Sequence, residues 1–279
     1  MATNNIDIGP VPSGDVDYVS TLPGFEIIER LPARWLSVGM NPSVGNLFHN
    51  VEARYAVAHA IDKQALINVV YDGNAEIMHG PSSKACWDYD PDFDNVNDVY
   101  AIGYDLDLAK MYAERAGIAG KEARIITSGS VEHVQTAEML QSMLKEIGLT
   151  LVIQNYDAAG WGDAREDPER WEMTIEGGFT PTMVYLAGIV DISRMCATYA
   201  QEDAWEECAW WNAEAPLVYS MLDPAERHAG NMKRIQIYCD QCFCYSMIDL
   251  KTFTAAPSNL QNVYFGQNGV MMYRLLRLG

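Results

Sequence analysis

Residues 121–157 restrict this chain to a small set of folds. Glu122-Ala-Arg-Ile-Ile-Thr127 reads as a strand, and Ser128-Gly-Ser130 as a turn. A serine oxygen there can accept from the free amides of a first helical turn. Val131, Val134, Ala137, Leu140, Leu144 and Ile147 then recur at steps of three and four, which makes one helix face apolar. Gly148 ends the helix, since glycine takes the left-handed conformation that a helix C-terminus favours. Thr150-Leu-Val-Ile-Gln-Asn-Tyr156 is the next strand. Strand, amphipathic helix and strand in this order make a βαβ unit, so the spacing predicts parallel strands with a right-handed crossover. The rest of the chain is read around this α/β core.

The chain has 279 residues, 49% of them apolar, enough for one large domain or a domain with an appendage. Its formal charge of −19 repels phosphate backbones and anionic lipid heads, which argues against nucleic-acid binding. The longest apolar run, Met183 to Val190, stops at Asp191, far short of the ~20 residues a bilayer needs. Met-Ala-Thr-Asn-Asn at the start has neither the basic flank nor the apolar stretch of a signal peptide.

Ile6–Ile8 is expected as a short strand, and residues 9–14, with two prolines and two glycines, as a link. Phe25–Arg30 and Arg34–Met40 read as extended, broken at Pro32. Asn50 caps a helix from Val51 to about Ile61, and Asp62 caps another from Lys63 to Tyr71. Residues 74–103 read as a long loop. Its aspartates at 88, 90, 92 and 94 fail as a calcium loop, because Phe93 stands where glycine is needed and Val99 where glutamate is. Asp105 caps Leu106–Ala116. Beyond the core, residues 157–169 are helical, 171–175 form a strand, and 177–182 a loop. Helices are expected near 185–198 and 203–212, and from Pro224 to about Asp240. Extended chain begins at Tyr245.

Signatures of catalysis are absent: there is no Gly-x-Ser-x-Gly elbow, no phosphate-binding glycine loop and no His-Glu-x-x-His pair. His49, His133 and His228 stand alone, and nothing marks Glu172 and Glu176 as an acid–base pair. Of the cysteines at 86, 196, 208, 239, 242 and 244, the 239–242–244 group lacks a second ligand pair for zinc and reads as packed thiols. No metal or cofactor is expected.

Val51-Glu-Ala-Arg-Tyr-Ala-Val-Ala-His-Ala-Ile-Asp-Lys63, with Leu66-Ile67 and Tyr71-Asp-Gly73, resembles the "VRxAxxxAIDKxxLI…GxA" signature of the family 5 extracellular solute-binding proteins, the peptide/nickel-type receptors of ABC importers. Trp35–Asn41 is similar to its "YLxFN" strand, Gly80-Pro81 to its "GP" loop, and Tyr104–Gly117 to "YDxxKAKxLLxEAG". Trp171-Glu-Met173 with Gly178-Phe179 resembles "YDM…GW", and Asp223–Arg227 resembles "DPEER". Six motifs in the family's order span roughly Ile6 to Leu250 and correspond to the C-terminal half of a member.

The resemblance implies a type II periplasmic-binding-protein-like lobe, an α/β mixed sheet flanked by helices. It implies interlobe strands and a remnant of lobe I in 1–40, ligand-binding lobe II in 41–250, and a return segment toward lobe I in 251–279. It also implies a non-catalytic monomer that binds a peptide or other small solute outside the cytoplasm and serves ABC importer membrane subunits. An α/β enzyme domain with an unrecognised site and an interaction-only lobe remain alternatives. One departure stands out: family members that bind peptides often carry an aspartate after "GW", whereas here no acid follows until Asp191. An extracytoplasmic setting allows a disulfide, for which Cys196 with Cys208 is the expected pair; six buried thiols fit equally.

Ligands of open α/β sheets gather beyond the carboxyl ends of the strands. The expected ligand-binding set is therefore Gly178, Phe179, Thr180 and Thr182 in the loop after strand 171–175, with Asn41 at the end of the crossover strand and Trp161 after the strand ending at Tyr156. The same loop also reads as a plain turn with one buried phenylalanine.

Overall fold

The computed structural model describes residues 8–81, 83–84, 89, 91–94, 96–179, 207–265 and 271–279. The predicted βαβ unit is present: β4 (Glu122–Thr127) and β5 (Thr150–Asn155) pair in parallel through their whole lengths, joined by helix α6 (Val131–Lys145). Ser130 caps α6 by accepting from the His133 amide at 3.3 Å. Gly148 has φ +79°, the left-handed conformation expected of it.

These strands belong to a seven-stranded mixed sheet. Its other strands are β1 (Gly9–Val11), β2 (Phe25–Met40), β3 (Ala75–Ile77), β6 (Met173–Phe179) and β7 (Cys244–Pro257). The order is β1-β7-β2-β6-β4-β5, with β3 also on β7. The β6–β4 and β4–β5 pairs are parallel, while β7 and β2 run antiparallel to their neighbours. A two-stranded ribbon, β8 (Leu260–Gln261) and β9 (Arg277–Leu278), follows.

Helices cover both faces. On one face α2 (Val51–Ala60), α3 (Lys63–Val70), α5 (Leu106–Ala116), α6 and α9 (Pro224–Gln241) bury a common core with Val38, Ile125, Ile175 and Ile248. On the other, α7 (Ala158–Arg165) packs Ala164 and Trp161 against Ile126 and Trp171. The expected caps Asn50, Asp62 and Asp105 each accept a backbone N–H in the first turn of their helix, and so do Asp157 and Asp223. Arg54 ties α2 to the end of α9, donating to the Gln241 carbonyl at 2.5 Å and to the Phe48 and His49 carbonyls at 2.6 and 2.9 Å.

Several expectations need correction. The first described strand is Gly9–Val11, within the expected link; the Ile6–Ile8 reading falls mostly outside the described residues. An edge strand tolerates Pro10, whose missing N–H costs no ladder bond on the open side. Residues 25–40 are one strand with a register shift between Arg30 and Arg34, so Pro32 interrupts pairing without ending the strand. The expected loop 74–103 contains β3, a 3₁₀ turn at Pro91–Phe93 and helix α4 (Asp98–Ile102), elements too short to show a period. Helix α8 (Cys208–Ala213) matches the described part of the helix expected near 203–212, and the helix near 185–198 lies outside the described residues. The strand placed at 171–175 runs instead through Met173–Phe179, because β2 offers it partners up to Arg34↔Phe179. Gly178 and Phe179 are thus strand residues, the pairing having overridden glycine's weak strand preference.

Candidate ligand-binding face

Adjacent parallel strands β4 and β5 send their following helices to opposite faces: α6 leaves β4 on the large-core side, and α7 leaves β5 on the Trp171 side. Such a switch point is where open α/β sheets hold ligands. Between β4 and β5 the crevice is filled. Thr127 Oγ1 donates to Asn155 Oδ1 at 2.7 Å. Gly129, at φ +70°, lies so close to the next loop that a Cβ would stand 2.5 Å from the Tyr156 carbonyl oxygen. Only glycine fits there.

Among the described residues, the gap lies on the other flank of β4. β4 meets β6 only at Ile125↔Met173 and Ile126↔Thr174, then leaves the sheet at Thr127. Beyond Thr174, β6 has a described strand neighbour only on its β2 side, and Gly177 is exposed. Side chains from both faces meet over this notch. Trp161 of α7 donates its Nε1–H to Thr174 Oγ1 at 3.2 Å. Arg165 donates to Glu176 Oε2 at 2.7 Å and lies 4.9 Å over the Trp161 ring. His133 of α6 approaches edge-on, 6.3 Å from Trp161 between centroids. At the rim Arg34 of β2 pairs with Glu132 of α6 at 2.7 Å. A Cβ on Gly177 would stand 2.8 Å from Leu36 Cδ2 and 3.4 Å from His133 Nε2, so the packing of β6 here depends on a missing side chain. Burial holds the His133 pKa below its usual 6.5, with Glu132 opposing the drop and Arg34 adding to it; the ring is neutral near pH 7.

Of the expected ligand-binding residues, Trp161 reaches the notch and Gly178 and Phe179 extend β6 beyond it. Thr180 and Thr182 fall outside the described residues, as does Cys196, so the expected Cys196–Cys208 pairing does too; Cys208 is buried. Asn41 is corrected. It is fully buried, with its Nδ2 donating to the Pro168 and Trp171 carbonyls at 2.7 and 2.9 Å and its Oδ1 accepting from the Ser43 amide at 3.0 Å. The reason is antiparallel geometry: β2 ends where β6 begins, so Asn41 and Phe179 sit at opposite ends of one strand pair, roughly 20 Å apart. His133, Arg165, Glu176 and the Arg34–Glu132 pair did not stand out in the sequence. Partners 11 or 98 residues apart leave no local signal.

Cys239, Cys242 and Cys244 are buried free thiols, and burial pushes Cys242 up to about 12, which leaves it inert as a nucleophile near neutral pH. Among the described residues no three His, Cys, Asp or Glu side chains gather as a metal site.

A mixed sheet flanked by helices, in this strand order, has the fold of a periplasmic-binding-protein-like lobe. Residues 1–185 match the family described as bacterial extracellular solute-binding proteins, family 5 middle, and the chain belongs to that family. Among curated proteins, it is 23% identical over 188 residues to the oligopeptide-binding protein AppA of Bacillus subtilis, covering 62% of this chain and 33% of AppA. It is 25% identical over 166 residues to heme-binding protein A of Haemophilus influenzae, covering 57% of this chain and 28% of that protein. Among solved structures, NikA from Brucella suis in complex with Fe(III)-EDTA gives a TM-score of 0.81 at 15% identity, over 100% of this chain and 58% of NikA. The ABC transporter-associated periplasmic binding protein DppA from Helicobacter pylori, in complex with the peptide STSA, gives 0.79 at 20% identity, over 99% and 53%. At these identities the structural likeness speaks for the fold. The chain spans about a third of the length of the curated relatives it matches and somewhat over half of the solved chains.

Proposed function

We propose that this chain is the ligand-binding lobe of a non-catalytic solute receptor that works outside the cytoplasm and delivers a small solute, a peptide in the first instance, to the membrane subunits of an ABC importer. The observation that carries this reading is the open flank of β6. An extended ligand laid along Ile175–Phe179, where β4 has left the sheet, would add as a strand through main-chain hydrogen bonds. Trp161 supplies an apolar wall beside that track. Gly178 and Phe179 continue it, and Thr180 and Thr182 follow in the sequence as further proposed contacts. The family's description and relatives named for the peptides they bind support the choice of ligand. In this reading residues 1–40 and 251–279 serve the junction with a second lobe, and the β2 register shift between Arg30 and Arg34 marks the hinge. The receptor acts as a monomer without a cofactor.

Native mass spectrometry of gently purified protein, followed by calorimetry with di- to pentapeptides, tests the proposal. A retained or added solute mass is expected. Gly177→Ala, whose new methyl would crowd Leu36 and His133, should weaken binding by about 1–3 kcal/mol. If no solute is retained and no peptide binds the folded protein, the reading fails.

A further inference from the structure

The His133 ring is held by a short relay at the start of α6. Ser128 Oγ donates to Ser130 Oγ at 3.4 Å, the same oxygen that accepts from the His133 amide. Ser128 Oγ lies 2.9 Å from His133 Nδ1. Either atom of that contact can donate; where the Ser128 hydrogen is directed to Ser130, the hydroxyl accepts from the ring. In that arrangement the ring proton sits on Nδ1 and Nε2 carries a lone pair. That nitrogen faces β6, 3.4 Å from where a Cβ on the exposed Gly177 would stand. The charged groups around it are engaged with one another: Arg34 from β2 with Glu132 from α6, and Arg165 from α7 with Glu176 from β6. Trp161 spends its only donor on Thr174. The imidazole is neutral, so the acceptor persists near pH 7.

We infer that His133 is a specificity-determining residue of the notch: its Nε2 accepts a hydrogen bond from the ligand and selects solutes that present an N–H or ammonium group to the α6 side. The inference rests on the notch being the ligand face. It also gives the missing acid after Gly178-Phe179 a counterpart, because an uncharged acceptor can meet a ligand donor without a buried carboxylate.

Two arms of one experiment separate this inference from the function it builds on. Nitrogen-resolved NMR of the histidine rings in the unliganded chain should show His133 protonated at Nδ1 and bare at Nε2, and diethyl pyrocarbonate should label that nitrogen. An Nε2–H tautomer, or a ring resistant to the reagent, overturns the inference whatever the chain binds. Trialanine, which offers an ammonium and two amide N–H groups, is the binding probe. It should move the Nε2 resonance, bind about tenfold more weakly to His133→Phe, and bind His133→Gln, whose amide oxygen can still accept, within about threefold of the native chain. Equal binding by His133→Phe and the native chain overturns the inference. A native chain that binds no trialanine counts against the peptide reading, and the tautomer and labelling results then decide on His133.

Discussion

Lys63 offers the sharpest test of how this fold handles a buried charge. It opens α3, is 8% exposed, and donates from Nζ to the Met78 carbonyl at 2.7 Å. The same nitrogen lies 4.1 Å from the Tyr245 ring centroid and 5.6 Å from that of Tyr100. Burial lowers its pKa from 10.5 to about 7, with Cys242, Cys239 and Asp94 opposing the drop. The unfolded chain keeps this proton to about pH 10.5 and the native chain only to about pH 7, so between those values the unfolded state binds more protons and stability rises with pH. The gap corresponds to about 5 kcal/mol at ~1.4 kcal/mol per pH unit. Near pH 7 about 4 kcal/mol of that cost remains, and near pH 9 about 2 kcal/mol. Lys63→Met keeps the apolar stem and removes the titration. It leaves the Met78 carbonyl without its donor, a loss of about 1–3 kcal/mol that offsets much of the gain near neutrality. The decisive quantity is therefore the difference in stability between native and variant chains as a function of pH. Urea unfolding followed by tryptophan fluorescence should show the native chain gaining about 2 kcal/mol on the variant between roughly pH 7 and 9, with a flat difference below about pH 6. Other titrating groups are common to both chains and cancel. A difference that stays level from pH 7 to 9, or that slopes only in acid, would refute the reasoning.

Two further substitutions test the scaffold around the site. Arg54→Met removes three bonds to backbone carbonyls and the stacking of the guanidinium 4.7 Å over Phe243; urea unfolding should report a loss of about 3 kcal/mol or more, and a loss under about 1 kcal/mol would show that solvent replaces those bonds. Asn41→Ala should lower stability by about 1–3 kcal/mol while calorimetry on the folded protein finds ligand affinity unchanged, since the amide braces residues 168–171 at the far end of β6; weaker binding at full stability would return Asn41 to the ligand face.

The elements legible in the sequence are those whose causes are local. The buried α6 positions Ala137, Leu140 and Leu144, the caps Asn50, Asp62 and Asp105, and the left-handed Gly148 all appear where expected, while Val131, at the head of the stripe, is exposed. Each depends on residues within a turn or two of one another, and hydrogen-bond geometry at a helix end leaves little choice. The family motifs between Asn50 and Gly117 were readable for the same reason, being runs of contiguous residues. The candidate site was half legible. The rule that ligands gather beyond strand carboxyl ends brought in Trp161 and the end of β6, but it said nothing of direction, so it also admitted Asn41.

Composition and periodicity thus determined an α/β chain with a parallel βαβ core, the capped helices that begin at Val51, Lys63 and Leu106, and a charge that repels nucleic acid. Tertiary structure decided the rest. That β2 runs antiparallel to β6 sent Asn41 into the core; that β2 extends to Arg34 turned Gly177–Phe179 from loop into strand. That α6 and α7 leave the sheet on opposite sides brought His133 to Trp161. The physical reason is that a helix cap or a 3.6-residue stripe is a property of neighbours along the chain, whereas strand partners and the side chains that meet across a notch are chosen by which distant surfaces can be buried together, and a single sequence carries no local record of that choice.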